Sequence, residues 1–211
     1  MKWLLITNYN DSDFQKNFSE ILSSFDKKNK LTFCDFDCEN IKKTLKKCED
    51  FASCFILSKP NSEFSEENAL LFCTLLGFFE AKNITIFSNL FFINENKLFD
   101  KNIIKFSDFD DLTDVLKKNY KKISENAVKR IAKNKLLERG IPFTSDCFAT
   151  YIAKNKIEVV NEFLEAGMSI NEKDDAGVPM LNIACRNDNF DFVKMFLELG
   201  ANIDAVSDDR G

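Results

Sequence analysis

The sequence contains no histidine, and this absence removes a large set of catalytic and metal-binding mechanisms. Nucleophiles activated by an imidazole, zinc sites of the HExxH type and metal centres built on several histidines are all excluded. Glycine (6 residues) and proline (3 residues) are also scarce. Neither GxGxxG nor GxxxxGK occurs, so a standard dinucleotide-binding or P-loop function is disfavoured. We predict neither a cofactor nor a metal ion.

Long apolar runs are missing as well. The longest mostly apolar run, Ala69–Phe79, covers only about half of the roughly 20 residues that a membrane-spanning helix needs. The run Trp3–Ile6 is too short for the apolar core of a secretory signal. The seven cysteines, of which Cys34 and Cys38 are the closest pair, lack zinc-ligand spacing. We therefore expect buried free thiols rather than a zinc or redox site, in a cytoplasmic protein that does not interact with a membrane.

The composition that remains is that of a folded chain with an uneven charge distribution. Of 211 residues, 45% are hydrophobic and 30% charged, which suffices for one domain and part of a second. Residues 121–140 contain seven Lys/Arg and two Glu, whereas residues 141–211 carry a net charge of −7. The basic segment Lys117–Arg139 could contact phosphates, but its acidic flanks favour a solvated helix face and disfavour nucleic-acid binding.

The first half of the chain alternates between short apolar segments and amphipathic segments. The apolar segments predict strands at 2–8, 31–34, 52–57, 84–87 and 103–106. The segments between them predict helices at 13–26, 41–48 and 66–81, and Ser107–Asp110 has the form of a capping box that opens another helix. Five strands joined by helices require right-handed crossovers. We therefore predict a parallel, doubly wound, flavodoxin-like α/β domain over residues 1–122.

A ligand of such a sheet is expected beyond the carboxyl ends of the strands, where the strand order reverses. In this chain the corresponding loops follow the first and third predicted strands. The candidate ligand-binding residues are Thr7, Asn8, Asn10, Ser58, Lys59, Asn61 and Ser62.

Residues 1–120, with Ser58–Glu67 (SKPNSEFSEE) after the third strand, resemble the Toll/interleukin-receptor (TIR) fold and, more loosely, nucleoside deoxyribosyltransferase-like proteins. Enzymatic TIR domains carry a glutamate in a pattern close to SxWxxxE. Here Asn68 stands at that position, and Glu66 and Glu67 within two residues of it are the remaining catalytic candidates. The deoxyribosyltransferase pattern has a glutamate where this chain has leucine before Gly77. The catalytic residue of both families is therefore missing from its usual place.

The second half contains an internal repeat. Asn155–Asn171 aligns without gaps on Asp188–Asp204, at an offset of 33 residues. This pattern resembles the ankyrin repeat, whose outer helix ends in a glycine such as Gly167 and Gly200. Gly177–Ala184 resembles the GxTPLHxA signature of the same family, with asparagine in place of histidine. The alternative is an unrelated pair of similar helical hairpins.

The resemblance divides the second half into repeats. Lys135–Ile141 looks like the end of a further outer helix, so residues 123–211 are predicted to form a capping helix and about two ankyrin repeats. Ser207–Gly211 corresponds to Lys173–Gly177, which opens a repeat. Because a stack of repeats needs about three units and polar caps, the pattern predicts either a fragment of a longer protein or a truncated reading frame.

These features favour a non-enzymatic protein-interaction module, with the TIR-like domain as an assembly or signalling partner. Ankyrin proteins bind through hairpin tips and inner helices, and the acidic charge here predicts a protein partner with a basic surface. Two alternatives stay open: the acidic region docks on the basic helix of residues 117–139, or the chain is a nucleotide- or NAD-cleaving enzyme regulated by its repeats. The predicted partner-binding residues are Asp174, Asp175, Asn182, Arg186, Asn187, Asp208 and Asp209.

Overall fold

The computed structural model describes residues 1–8, 11–35, 38–46, 50–58, 66–90 and 103–208. The chain divides into two compact units, Met1–Ala127 (unit 1) and Val128–Gly211 (unit 2). None of the helices within the described ranges is both long enough and apolar enough to cross a membrane.

Unit 1 contains a five-stranded sheet in which all neighbouring strands run parallel, in the order β2-β1-β3-β4-β5. Each strand begins and ends within one residue of its predicted position. All seven residues of β3 are buried, which explains why its sequence is a continuous apolar run rather than an alternating one. The strands are β1 (Lys2–Thr7), β2 (Lys30–Asp35), β3 (Phe51–Leu57), β4 (Thr85–Ser88) and β5 (Ile103–Lys105).

Helices cover both faces of this sheet. The side chains of β1 point alternately to the two faces, and those of each face pack in a separate apolar cluster. Trp3 and Leu5 belong to a cluster with α1 and α4, whereas Leu4 and Ile6 belong to a cluster with α2 and α3. The prediction for α2 was three residues too late, because it began at the first apolar position and omitted a polar first turn. The helices are α1 (Ser12–Phe25), α2 (Cys38–Leu45), α3 (Glu66–Ala81) and α4 (Phe109–Glu138).

The start of α4 differs from the predicted capping box by one residue. Asp108 Oδ1 accepts the Asp111 N–H at 2.9 Å, and Asp111 Oδ2 accepts the Ser107 N–H at 2.8 Å. The hydrogen bond from the Asp111 N–H, followed by that from the Ser107 hydroxyl, lowers the pKa of Asp108. Asp111 rather than Asp110 therefore takes part in the cap, in which the carboxylates of Asp108 and Asp111 accept the N–H groups of Asp111 and Ser107.

Helix α4 is one continuous helix of 30 residues, and it contributes to the cores of both units. Ile123 and Ala127 belong to a core cluster of unit 1, and Ala132 and Leu136 belong to the core of unit 2. The basic segment predicted at residues 117–139 thus lies largely within this helix. The apolar residues of the helix pack in the two cores, and its charged residues occupy the remaining helix positions.

A buried polar network holds β1, α1 and α4 together on one face of the sheet. The Trp3 indole N–H donates to Asn29 Oδ1 at 3.1 Å. The Asn29 amide donates to the Leu22 carbonyl at 2.9 Å and to the Tyr120 hydroxyl at 3.0 Å. The Trp3 and Tyr120 rings stack with centroids 5.9 Å apart. One asparagine thereby satisfies the polar edges of the buried Trp3 and of the half-buried Tyr120.

We expect Gly77→Ala to stabilise unit 1, because Gly77 lies inside α3 and an added Cβ would meet nothing within 4 Å among the described residues. Alanine loses less backbone entropy on folding than glycine, so the expected gain is about 0.5–1 kcal/mol. Urea denaturation followed by Trp3 fluorescence would measure it. A lower midpoint would show that the glycine has a packing role.

Unit 2 contains the end of α4 and, after it, two helical hairpins. Gly167 and Gly200 have positive φ values of 95° and 87°, as expected for glycines that end a helix. The residue after each of them donates its N–H to a carbonyl one turn back: Met168 to Phe163 at 2.9 Å and Ala201 to Phe196 at 2.8 Å. The hairpins comprise α5 (Ser145–Ala153) with α6 (Ile157–Glu165), and α7 (Met180–Arg186) with α8 (Phe190–Glu198).

Candidate protein-interaction surface

The structure brings three of the predicted ligand-binding residues to the carboxyl edge of the sheet. Thr7 ends β1 and is only 3% exposed. The Asn8 amide donates to the Ser58 hydroxyl oxygen at 3.4 Å, which joins the residues that follow β1 and β3. The other candidates, Asn10, Lys59, Asn61 and Ser62, lie outside the described residues.

Asn89, which sequence reasoning missed, completes this polar edge. Its Oδ1 accepts the Ser58 N–H at 3.1 Å and its Nδ2 donates to the Ser58 carbonyl at 3.0 Å. The Ser88 hydroxyl donates to the Ile56 carbonyl at 2.9 Å. The signal in the sequence was a polar Ser-Asn pair directly after an apolar strand. A neighbouring cavity of about 250 Å³ is lined by Ser88, Asn89, Leu90, Lys105, Phe106, Ser107 and Asp111.

The two catalytic candidates, Glu66 and Glu67, are the first residues of α3. Their side chains lie outside the described part of the structure, as does that of Asn68. The carboxyl edge is therefore described as a polar network of amides and hydroxyls, without placing a catalytic carboxylate in it.

The turn before α7 places the first two predicted partner-binding residues. Asp174 and Val178 pair through their backbones, and Asp174 Oδ1 accepts the Val178 N–H at 2.7 Å. The Asp175 N–H donates to Asp146 Oδ1 at 2.8 Å, which links the turn to the start of α5. A hydrogen bond between the side chains of Asp175 and Asp146, and secondly the negative charge of Asp146, raise the pKa of Asp175. Asp174 thus shapes the turn, whereas Asp175 adds an acidic group to its surface.

We expect Asp175→Asn to stabilise unit 2 at neutral pH. A raised pKa means that protonated Asp175 favours the folded state, and that this contribution is lost as the pH rises through the pKa of the folded form. The amide keeps a donor toward Asp146 without its charge. Thermal melts should therefore show a higher midpoint for the variant at neutral pH and converging midpoints at about pH 3. Equal midpoints at both pH values would contradict the assigned repulsion.

Asn182 and Asp208 join the start of the second hairpin to the segment that follows α8. The Asn182 amide donates to the Ala205 carbonyl at 3.4 Å. Asp208 forms an ion pair with Lys173, and its N–H donates to the Gly177 carbonyl at 3.1 Å. Asn182, which stands where the GxTPLHxA signature has histidine, thus donates a hydrogen bond to the backbone of the segment after α8. The Asn182 side chain is half-buried and the Asp208 side chain is exposed. Each therefore makes a structural contact and is also accessible to a partner.

Arg186 and Asn187 end helix α7, and both residues are exposed. The Asn187 amide donates to the Ile183 carbonyl of its own helix at 2.8 Å. Asp209, the remaining candidate, lies outside the described residues. Sequence reasoning missed Asn189, whose buried amide donates to the Ile152 carbonyl at 2.6 Å and so ties α8 to α5. Its only signal was its place at the N-terminus of a helix.

The prediction of buried thiols is correct for only part of the cysteines. Cys34 and Cys54 are buried in the sheet, but Cys73 and Cys185 are exposed and Cys147 is half-buried. All five are free. Cys73 and Cys185 lie on the solvent side of helices α3 and α7, where a small apolar side chain is tolerated.

Comparison with known proteins identifies the type of repeat in unit 2. A family model for ankyrin repeats matches residues 146–197, which span all four helices of the two hairpins, so the C-terminal region contains ankyrin repeats. A putative ankyrin repeat-containing protein of Treponema pallidum is 30% identical over 131 residues. The matched part is 62% of this chain and 40% of that relative, so the chain spans less than half of the relative's length.

Proposed function

We propose that this chain is a protein-interaction module in which the ankyrin repeats of unit 2 bind a protein partner that has a basic surface. The observation that carries the proposal is the surface formed by the turn before α7 and by the segment after α8. There Asp175 and Asp208 are exposed, and Asp174 is held in the turn by the Val178 N–H. Asn182 and Arg186 lie further along α7. Such a surface offers carboxylate acceptors on a backbone that is already ordered before binding.

Electrostatics support a basic partner rather than a nucleic acid. Residues 141–211 carry a net charge of −7, and the aspartate pair at residues 146 and 175 concentrates negative charge at one point. Opposite charges across an interface raise the association rate more than they raise affinity, and this effect weakens with salt. Association should therefore be fast at low ionic strength and slower at high ionic strength.

For the N-terminal region we propose a doubly wound, TIR-like domain over residues 1–122 that acts in assembly or signalling, in a cytoplasmic protein. The strand order β2-β1-β3-β4-β5 and the helices on both faces of the sheet support this proposal. Free thiols at the surface are compatible with a reducing compartment.

The interaction proposal is tested by removing negative charge while keeping the hydrogen bond between Asp174 and the Val178 N–H in the turn. We expect Asp175→Asn with Asp208→Asn to slow association with the partner roughly tenfold at low salt, and to leave the helical circular dichroism unchanged. Asp174 is kept, because it accepts the Val178 N–H. The matched control, Asp191→Asn with Glu198→Gln, removes two charges from the exposed side of α8. Equal losses in the two double variants would indicate general charge rather than this surface.

A second function, the cleavage of a nucleotide or of NAD, is favoured by one observation: the polar edge formed by Asn8, Ser58 and Asn89 beside a cavity. Incubation of the protein with NAD, followed by measurement of nicotinamide release, tests it. Release that Glu66→Ala or Glu67→Ala abolishes would establish an enzyme. No release from the folded protein would leave the edge as a structural network.

A further inference from the structure

Helix α4 carries a group of lysines on the side that faces away from the core of unit 1. Leu116 and Ile123 are buried in that core, whereas Lys118, Lys121 and Lys122 between them are exposed. Successive residues of a helix are about 100° apart around its axis, which puts the three lysines on the side opposite the two buried residues. We name these three lysines the lysine face.

The lysine face forms no ion pair with any residue that the structure describes. Lys117, which directly precedes it, pairs instead with Asp114 at 3.0 Å. Glu125 follows one turn later, but a lysine that precedes a glutamate is the weaker order for such a pair on a helix. The three ammonium groups are therefore available to carboxylates from outside the helix.

The turn before α7 concentrates the opposite charge. Asp146 and Asp175 are exposed, and a hydrogen bond between their side chains, followed by the negative charge of Asp146, raises the pKa of Asp175. Glu172, three residues before Asp175, is exposed as well. We name Asp146, Glu172 and Asp175 the acidic turn. A cation placed beside these crowded carboxylates would relieve their repulsion.

The acidic turn is also without a basic partner of its own. Lys173 lies within it in sequence but pairs with Asp208. None of the ion pairs in the described ranges joins Asp146, Glu172 or Asp175 to a lysine or an arginine. The chain therefore carries two exposed groups of opposite charge, and each has the charge that the other requires.

We propose that the acidic turn binds the lysine face of a second copy of this chain. This inference rests on the proposed function, because it identifies the basic surface that the function requires. Lys118 and Lys122 lie on consecutive turns of one helix, so the lysine face can approach several carboxylates at once. The helix and the turn are both ordered before contact, which lowers the entropy cost of association. The two surfaces differ, so each contact joins the acidic turn of one copy to the lysine face of another.

The net charge of −5 opposes this association mainly at long range. At about 0.1 M salt, exposed charges more than roughly 10 Å apart are largely screened, whereas opposite charges in contact still attract. We therefore expect association near 0.1 M salt and its loss at several times that concentration.

Sedimentation equilibrium of the full chain at increasing protein concentration measures this association. The average mass should rise toward that of two or more copies at about 0.1 M salt and return to that of one copy at about 0.5 M. Lys118→Glu with Lys122→Glu should abolish the rise, and so should Glu172→Lys with Asp175→Lys. All four residues are exposed, so the helical circular dichroism should not change.

Mixing the two double variants tests the contact itself. The lysine variant keeps the acidic turn, and the acidic-turn variant keeps the lysine face. Each variant alone should stay a single chain, whereas an equimolar mixture should form a complex that contains both. A folding defect in either variant would not be repaired in this way. A mixture that stays unassociated would overturn the proposal.

Two matched controls reverse the same number of charges elsewhere. Lys16→Glu with Lys42→Glu alters exposed lysines of α1 and α2, and Asp191→Lys with Glu198→Lys alters exposed acidic residues of α8. Both variants should associate as the original chain does. A loss equal to that of the surface variants would overturn the proposal, since net charge alone would then govern association.

The proposal and the proposed function can fail separately. An original chain that stays single at every concentration would overturn the proposal, even if reversal of the lysine face lowered its melting midpoint, because the two surfaces would then meet within one chain. Binding of a different protein that Asp175→Asn with Asp208→Asn slows would still uphold the proposed function. Binding that this variant leaves unchanged, together with no self-association, would reject both.

Discussion

Phe163→Ala is expected to destabilise unit 2 by about 3–5 kcal/mol, which approaches the whole stability of a unit this small. Phe163 is fully buried in α6. Its ring lies 5.7 Å from Phe143, 5.4 Å from Phe148 and 6.3 Å from Tyr151, measured between centroids. Truncation would remove the ring around which three aromatic side chains pack and would leave a cavity that helices α5 and α6 cannot close.

Chemical denaturation followed by circular dichroism at 222 nm measures this loss. The matched control is Phe190→Ala, which makes the same chemical change on α8 at a residue that is 78% exposed. Its free energy of unfolding should change by less than about 0.5 kcal/mol. A similar loss for both variants would mean that the assigned core of unit 2 is wrong.

Asn29→Ala is expected to destabilise unit 1 by about 1–3 kcal/mol, because it leaves one buried and one half-buried polar side chain without their partner. The Trp3 indole N–H loses its acceptor, and the Tyr120 hydroxyl loses the amide that donates to it. The Leu22 carbonyl at the end of α1 also loses a donor. Most of the cost arises from the indole N–H of Trp3, which is fully buried, because the half-buried Tyr120 hydroxyl can bond to water instead.

The single tryptophan of the chain reports this variant directly. Urea denaturation should show a lower midpoint, and the Trp3 emission of the folded variant should change because its indole is no longer hydrogen-bonded to Asn29. The control Asn17→Ala alters an exposed residue of α1 and should shift the midpoint by no more than about 0.5 kcal/mol. An unchanged midpoint for Asn29→Ala would contradict the network.

The strands were predictable because the central strands are buried on both sides and therefore consist of continuous apolar residues, as in Phe51–Leu57. The repeats were predictable because Gly167 and Gly200 fall at a constant offset and both have the positive φ that favours glycine. Sequence patterns report such features well, because burial on both sides and a fixed helix end each restrict residue type.

The polar networks were not predictable, because they depend on which distant segments meet. Asn29 and Tyr120 are 91 residues apart, and Asn89 and Ser58 are 31 residues apart. An isolated asparagine has the same local signal in a loop as in a buried network. The continuity of α4 was missed for a related reason, since its apolar positions serve two separate cores and follow no single stripe.

The proposed function requires that a partner binds to the acidic surface of unit 2 at Asp174, Asp175 and Asp208. Hydrogen–deuterium exchange of the full chain, alone and in complex with a protein that binds to it, locates the binding surface most directly. We expect slower exchange in residues 174–187 and around Asp208 in the complex, and binding that weakens with salt. Protection confined to the carboxyl edge of the sheet, at residues 7–8, 58 and 88–90, would contradict it.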